Sequence, residues 1–272
     1  MDLERLQRQQ DTAFATDGPV VTSPAAAERF LERVGIALRY GHNPGIPLPG
    51  LQTVFGGAEP GTDAMIRGMT LSNGLLARGT AIEVHVVADR VAFVHRSLVP
   101  PLYALVRRGR ALDDFDGITL NARTALALIT QRKEATTGDV RHRLGLPVLP
   151  RHDPAYIALS ELTRVMLVDR GPFGVNRKGI PYLPKEGYPY HLLHQAHPEI
   201  VRAAARYSIE KAADAWLSAY LKAAVFARRR KLASMFKVFL SPAEIAAAVD
   251  RLVEKNTISL ERAGAQEYIV SR

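Results

Sequence analysis

The sequence of 272 residues contains no cysteine. Disulfides, thiolate metal sites, iron–sulfur clusters and a cysteine nucleophile are thereby excluded, and a reducing compartment fits. Long apolar runs are missing as well, so no segment is expected to span a bilayer and no membrane partner is expected. The first residues, MDLERLQRQQ, are charged and lack the apolar stretch of a secretory signal, which points to a soluble cytoplasmic protein. Nor does the chain hold a GxxxxGK[ST] or strand-linked GxGxxG loop, a GxSxG elbow or an HExxH helix. No cofactor, no metal and no familiar hydrolytic centre is therefore expected.

What the chain does have is an uneven charge. Residues 1–119 carry 12 basic and 13 acidic side chains, whereas residues 120–272 carry 24 and 14. The whole positive excess lies in the second half, which marks that half as a polyanion-binding module joined to a neutral one. An apolar content of 47% is enough for a packed core throughout.

Local patterns divide the chain further. Residues 1–21 are polar and read as a flexible N-terminus. Residues 22–119 read as an α+β domain: Thr22-Ser23-Pro24 opens a helix whose residues Phe30, Leu31, Val34 and Leu38 share one stripe. TAIEVHVVADRVAFVH, residues 80–95, alternates as a hairpin turning at Ala88-Asp89. The acidic Asp113, Asp114 and Asp116 then mark a link. In residues 120–205, two helices precede a third that starts at Asp153-Pro154, and two short strands are expected within Asp169–Leu183 around Asn176-Arg177-Lys178-Gly179. The same order returns in residues 206–272. Three helices and a strand ribbon make a winged helix, so the predicted fold is mainly α with small β-wings, a tandem of helix-turn-helix units.

These units suggest where a polyanion would touch. On the helix after Asp153, Leu159 and Leu162 face a core, while Tyr156, Ser160, Thr163 and Arg164 fall on the opposite arc, free of acid and able to hydrogen-bond phosphates or base edges. The corresponding helix of the last unit presents Asp250 and Glu254, a poorer reader. Arg177 and Lys178 lie at the expected wing tip. Arg228, Arg229, Arg230 and Lys231 crowd the start of a helix, where cations oppose the macrodipole, so a phosphate contact is a better account of them than chance. His191, His194 and His197 step by three residues, so that on a helix adjacent pairs could share a metal but all three together fit one badly. Glu83 has no partner that the sequence alone assigns.

Several stretches together, FLERVGIALRYG, LPGLQTVFGG, FVHRSLVPPLYAL and TTGDVRHRLGL with the helix after it, resemble the tandem winged-helix family of interstrand-crosslink DNA glycosylases, the AlkZ–YcaQ group, and above all its divergent AlkZ-related members. The resemblance runs over about residues 27–260. It implies winged helices that cup duplex DNA and, in the founding enzymes, hydrolysis at an alkylated base by a Gln-x-Gln or Gln-x-Asp pair. Here the candidate catalytic residue is Gln52, but Thr53 and Val54 follow it, and a lone amide is poorly equipped to orient water beside an oxocarbenium-like centre. The expected function is accordingly duplex DNA binding, with damaged sites in view. DNA glycosylase activity is the first alternative and a protein-interaction scaffold the second.

Overall fold

One order of elements, helix, short strand, helix, helix and a two-stranded wing, occurs three times in the computed structural model, which describes residues 2–15, 20–41, 43, 45–57, 61–114, 116–147, 152–174 and 187–272. A leading helix, α1 (Leu3–Phe14), precedes the first unit. That unit consists of α2 (Pro24–Val34), β1 (Ile36–Leu38), α3 (Leu51–Gly56), α4 (Thr62–Ala77), β2 (Ala81–Val87) and β3 (Arg90–His95). After α5 (Val99–Arg107), the second unit runs α6 (Leu120–Arg132), β4 (Glu134–Thr136), α7 (Thr137–Leu144), α8 (Pro154–Arg164), β5 (Val168–Arg170) and β6 (Pro189–Leu192). Two short helices, α9 (Leu193–Ala196) and α10 (Pro198–Ala204), lead to the third: α11 (Ile209–Ala224), β7 (Phe226–Arg228), α12 (Arg229–Phe236), α13 (Pro242–Glu254), β8 (Ile258–Ala263) and β9 (Gln266–Ser271). In each unit the last strand is central in an antiparallel sheet, with orders β1-β3-β2, β4-β6-β5 and β7-β9-β8. The chain is a mainly helical tandem of winged helices.

Local chemistry sets these boundaries. The Ser23 hydroxyl accepts from the Ala26 amide and Pro24 occupies the first helical position, where a missing N–H costs nothing. Reciprocal capping boxes start α7, through Thr136 and Asp139, and α13, through Ser241 and Glu244. Ala88 and Asp89 both take positive φ, 49° and 55°, as a tight hairpin turn between right-twisted strands requires.

Packing divides the units differently from their order in sequence. The first and third share one hydrophobic core, in which Ile36, Phe55 and Phe93 belong with Trp216, Tyr220 and Phe236. Trp216 meets Phe239 edge to face, with ring centroids 5.7 Å apart. The second unit has a core of its own, built around Ile129, Val140, Leu159, Leu162 and Val168.

Three expectations need correction. The N-terminus is not a loose polar tail: α1 buries Leu6 and Phe14, and the Gln10 side-chain amide donates to the Ala224 carbonyl at 2.5 Å. The domain over 22–119 carries a third copy of the repeat, completed by α4. In the second unit β5 lies at the start of the expected ribbon and pairs with β6, Asp169 with His191, so that His191 stands on a strand and not on a helix with the other two histidines. The second strand expected within 169–183 falls largely outside the described residues. Arg177 and Lys178, with Asn176 and Gly179, lie outside the described residues.

Candidate functional site at the junction of the first two units

Between the first two units the fold builds a cleft of about 730 Å³. One wall is α3 and α4, contributing Gln52, Thr53, Met65, Gly68, Met69 and Ser72. The opposite wall comes from the second unit, with Arg170, Phe173 and Tyr188, and Arg39 and Tyr40 after β1 close the base. Gly68 leaves the room that Gln52 occupies: a Cβ there would stand 2.5 Å from the Gln52 Oε1, and the amide would have to move. The Gln52 amide thus lies flat on α4, its Nε2 donating weakly to the Ala64 carbonyl at 3.4 Å.

A buried ionic cluster holds the two walls together. Glu83, on β2 and 3% exposed, receives Arg170 at 2.6 Å and Arg39 at 3.3 Å. Burial alone would push the Glu83 carboxyl up; Arg170 first, then Arg39, outweigh it and hold the group below the usual carboxylate range. Arg170 stacks on Tyr188 at 4.4 Å and Phe173 at 5.7 Å, and Arg39 stacks on Tyr188 at 4.9 Å. Asn73 of α4 completes the joint: its Nδ2 donates to the Phe173 carbonyl at 2.8 Å, and its Oδ1 accepts from the Phe173 amide at 2.7 Å. Of this set, Glu83 had been singled out without a partner. Arg39, Asn73, Arg170 and Tyr188 carry no local signal of their own, although a charged residue inside an apolar strand, as in AIEVHVV, signals a buried ion pair.

The helix expected to face outward, α8, packs against the first unit. Thr163 is buried and its hydroxyl donates to the Ser160 carbonyl, which corrects its place on the free arc. Tyr156 meets His85 of β2 edge to face at 6.3 Å, and Arg164 pairs with Asp89 of the hairpin turn at 3.3 Å. Ser160 lines the shallow groove between them. This helix is a docking element, because its polar arc already has protein neighbours. Both members of the Arg164–Asp89 pair are more than one third exposed, so Arg164→Ala should cost no more than about 1 kcal/mol in urea unfolding. A larger loss would mean that the docking rests on this contact.

The basic run is placed differently. Arg228 ends β7 and serves as N-cap of α12, with no capping side chain and no acid in the first turn. Arg229 is held by Glu267 at 2.8 Å. Arg228, Arg230 and Lys231 are exposed. Arg228 and Lys231 edge a second groove, of about 600 Å³, whose far side is α1.

The three histidines part company. His191 sits on β6 and faces Glu134 at 3.4 Å, while His197 hydrogen-bonds Asp169 at 2.9 Å, which raises the histidine. Among the described residues no group of three or more potential ligands is placed to hold a metal. No helix among them is long and apolar enough to cross a membrane.

No family model matches the chain, and no curated protein matches its sequence. Among solved structures, its fold is similar to that of the Streptomyces sahachiroi DNA glycosylase AlkZ, with a TM-score of 0.58 and 11% identity, over 100% of this chain and 70% of that one. At such identity the likeness is one of fold.

Proposed function

We propose that this protein binds duplex DNA, chiefly through phosphate contacts made by its third unit. The observation that carries the reading is the run Arg228–Lys231 at a helix start with no acid in its first turn and no capping side chain, where Arg228, Arg230 and Lys231 are exposed and Arg229 alone is paired, with Glu267. Cations so placed are unfavourable for the helix, while a phosphate beside them meets both the side chains and the free amides of the first turn. The fold likeness to a DNA glycosylase and the basic balance of residues 120–272 support the same reading. The polar arc of α8 does not, since Tyr156 and Arg164 face the first unit.

A second reading, hydrolysis of a glycosidic bond in damaged DNA, is favoured by one observation: Gln52 lines a cleft large enough for a nucleotide. Glu83 is a poor general base for it, because its buried carboxylate is engaged by two arginines and held below the usual range.

A mobility-shift panel with plain, abasic and crosslinked duplexes, each lane assayed for released base, tests both. Retardation of all three without product is the expected result. Released base would promote the second reading. A failure to retard any duplex at low salt would overturn the first and leave an interaction scaffold as the better account.

A further inference from the structure

The ionic cluster of the cleft is not balanced. Two guanidinium groups share the single carboxylate of Glu83, and the sharing is unequal: Arg170 lies at 2.6 Å, Arg39 at 3.3 Å. Arg170 is 2% exposed, and its Nε and Nη1 find no hydrogen-bond acceptor among the described residues. Arg39 is the more accessible of the two, its side chain 12% exposed, and its Nη2 donates to the Tyr188 hydroxyl at 2.5 Å. An uncompensated positive charge in a region of low dielectric is costly, and an incoming anion relieves it. One edge of the cleft therefore calls for a negative group.

The remainder calls for something flat and apolar. Met65, Met69, Phe173, Tyr40 and Tyr188 supply thioethers and ring faces, and Gly68 lets the Gln52 amide lie level with the wall instead of projecting from it. The Gln52 amide and the Ser72 hydroxyl add donors and acceptors to an otherwise apolar surface. The volume of about 730 Å³ exceeds what an isolated phosphate or a small acid would fill.

We propose that the junction cleft is a binding site for a nucleoside monophosphate unit. The phosphate is met by Arg39 with Arg170 behind it, and the base lies among the methionine and tyrosine side chains. The unit comes either from free nucleotide or from a single unpaired nucleotide of a strand. The site does not depend on the arginine run of the third unit, so it stands or falls apart from the duplex-binding reading.

Calorimetric titration of the full chain with 2′-deoxyadenosine 5′-monophosphate, deoxyadenosine and inorganic phosphate tests the proposal. The nucleotide is expected to bind at least about tenfold more tightly than either part alone, the difference one charge-assisted contact makes. Arg39→Gln should bring the nucleotide down to the level of the nucleoside. Because that change touches a buried cluster, Met65→Glu is the companion variant: Met65 is 50% exposed, and a carboxylate there should weaken the nucleotide and spare the nucleoside. Equal affinity for nucleotide and nucleoside would overturn the proposal. So would nucleotide binding no tighter than that of phosphate, or nucleotide binding indifferent to both variants. A duplex with one bulged adenosine, added as competitor, distinguishes the sources: it displaces the nucleotide if the cleft serves a strand, and does not if it serves the free ligand.

Discussion

Replacing Glu83 by glutamine is expected to lower the stability of the whole chain by about 3–5 kcal/mol, the range for leaving buried charges without their partner. The size of the loss follows from what remains behind. Arg170, almost fully buried, would keep its charge without the carboxylate it pairs with, and Arg39 would keep one neutral partner, the Tyr188 hydroxyl at 2.5 Å. The loss should also depend on pH. The folded state holds Glu83 below its usual range, so its stabilising contribution is complete above the titration range of an unfolded glutamate, near pH 4. The contribution fades as pH falls through that range toward the lower folded value, whereas glutamine has no proton to take up. Urea unfolding of wild type and Glu83→Gln should therefore give curves that lie far apart at pH 7 and draw together in acid. A constant gap would show that the side chain contributes by packing alone.

The second large effect concerns DNA. Affinity of the intact protein for duplex should fall steeply with salt, with log K against log salt sloping at about −4 to −7 if roughly five to eight phosphates are neutralised. Replacing Arg228, Arg229 and Arg230 together by glutamine should flatten that slope by about 2 rather than 3, because Arg229 is already engaged by Glu267. At about 0.1 M salt this corresponds to a loss on the order of a hundredfold in affinity, equal across sequences since phosphates carry none. The fold should be unharmed, as cations at a helix start cost a few tenths of a kcal/mol each. An unchanged slope would assign the run to a solvated face. The intact chain is the right object for this titration: the shared core of the first and third units means that neither half folds as it does here without the other.

Some of this could be read from the sequence and some could not. Signals that act over four residues were legible, as with Ser23-Pro24, Asp153-Pro154 and the turn at Ala88-Asp89, because caps and tight turns are made by the residues that announce them. The helix α4 was missed because TDAMIRGMTLSNGLLA holds two glycines and several small polar residues. They serve its neighbours: Gly68 admits the Gln52 side chain, and Asn73 reaches Phe173, one hundred residues away. The docking of α1 escaped notice for the same reason, since the acceptor of Gln10 is 214 residues distant. The cleft fared likewise. Gln52 and Glu83 were singled out as residue types, but which arginines meet Glu83 is decided by the packing of two units that no local pattern describes.

The shared core also sets an order on synthesis. Ile36, Phe55 and Phe93 leave the ribosome early, but the residues that cover them, Trp216, Tyr220 and Phe236, follow more than one hundred residues later. The second unit, with its own core, has all it needs to fold in the interval. The first unit waits with apolar surface exposed until the third emerges, a long closure that slows folding and favours capture by chaperones. Any lesion that truncates the nascent chain before α11 would therefore release a folded middle attached to an unfinished beginning.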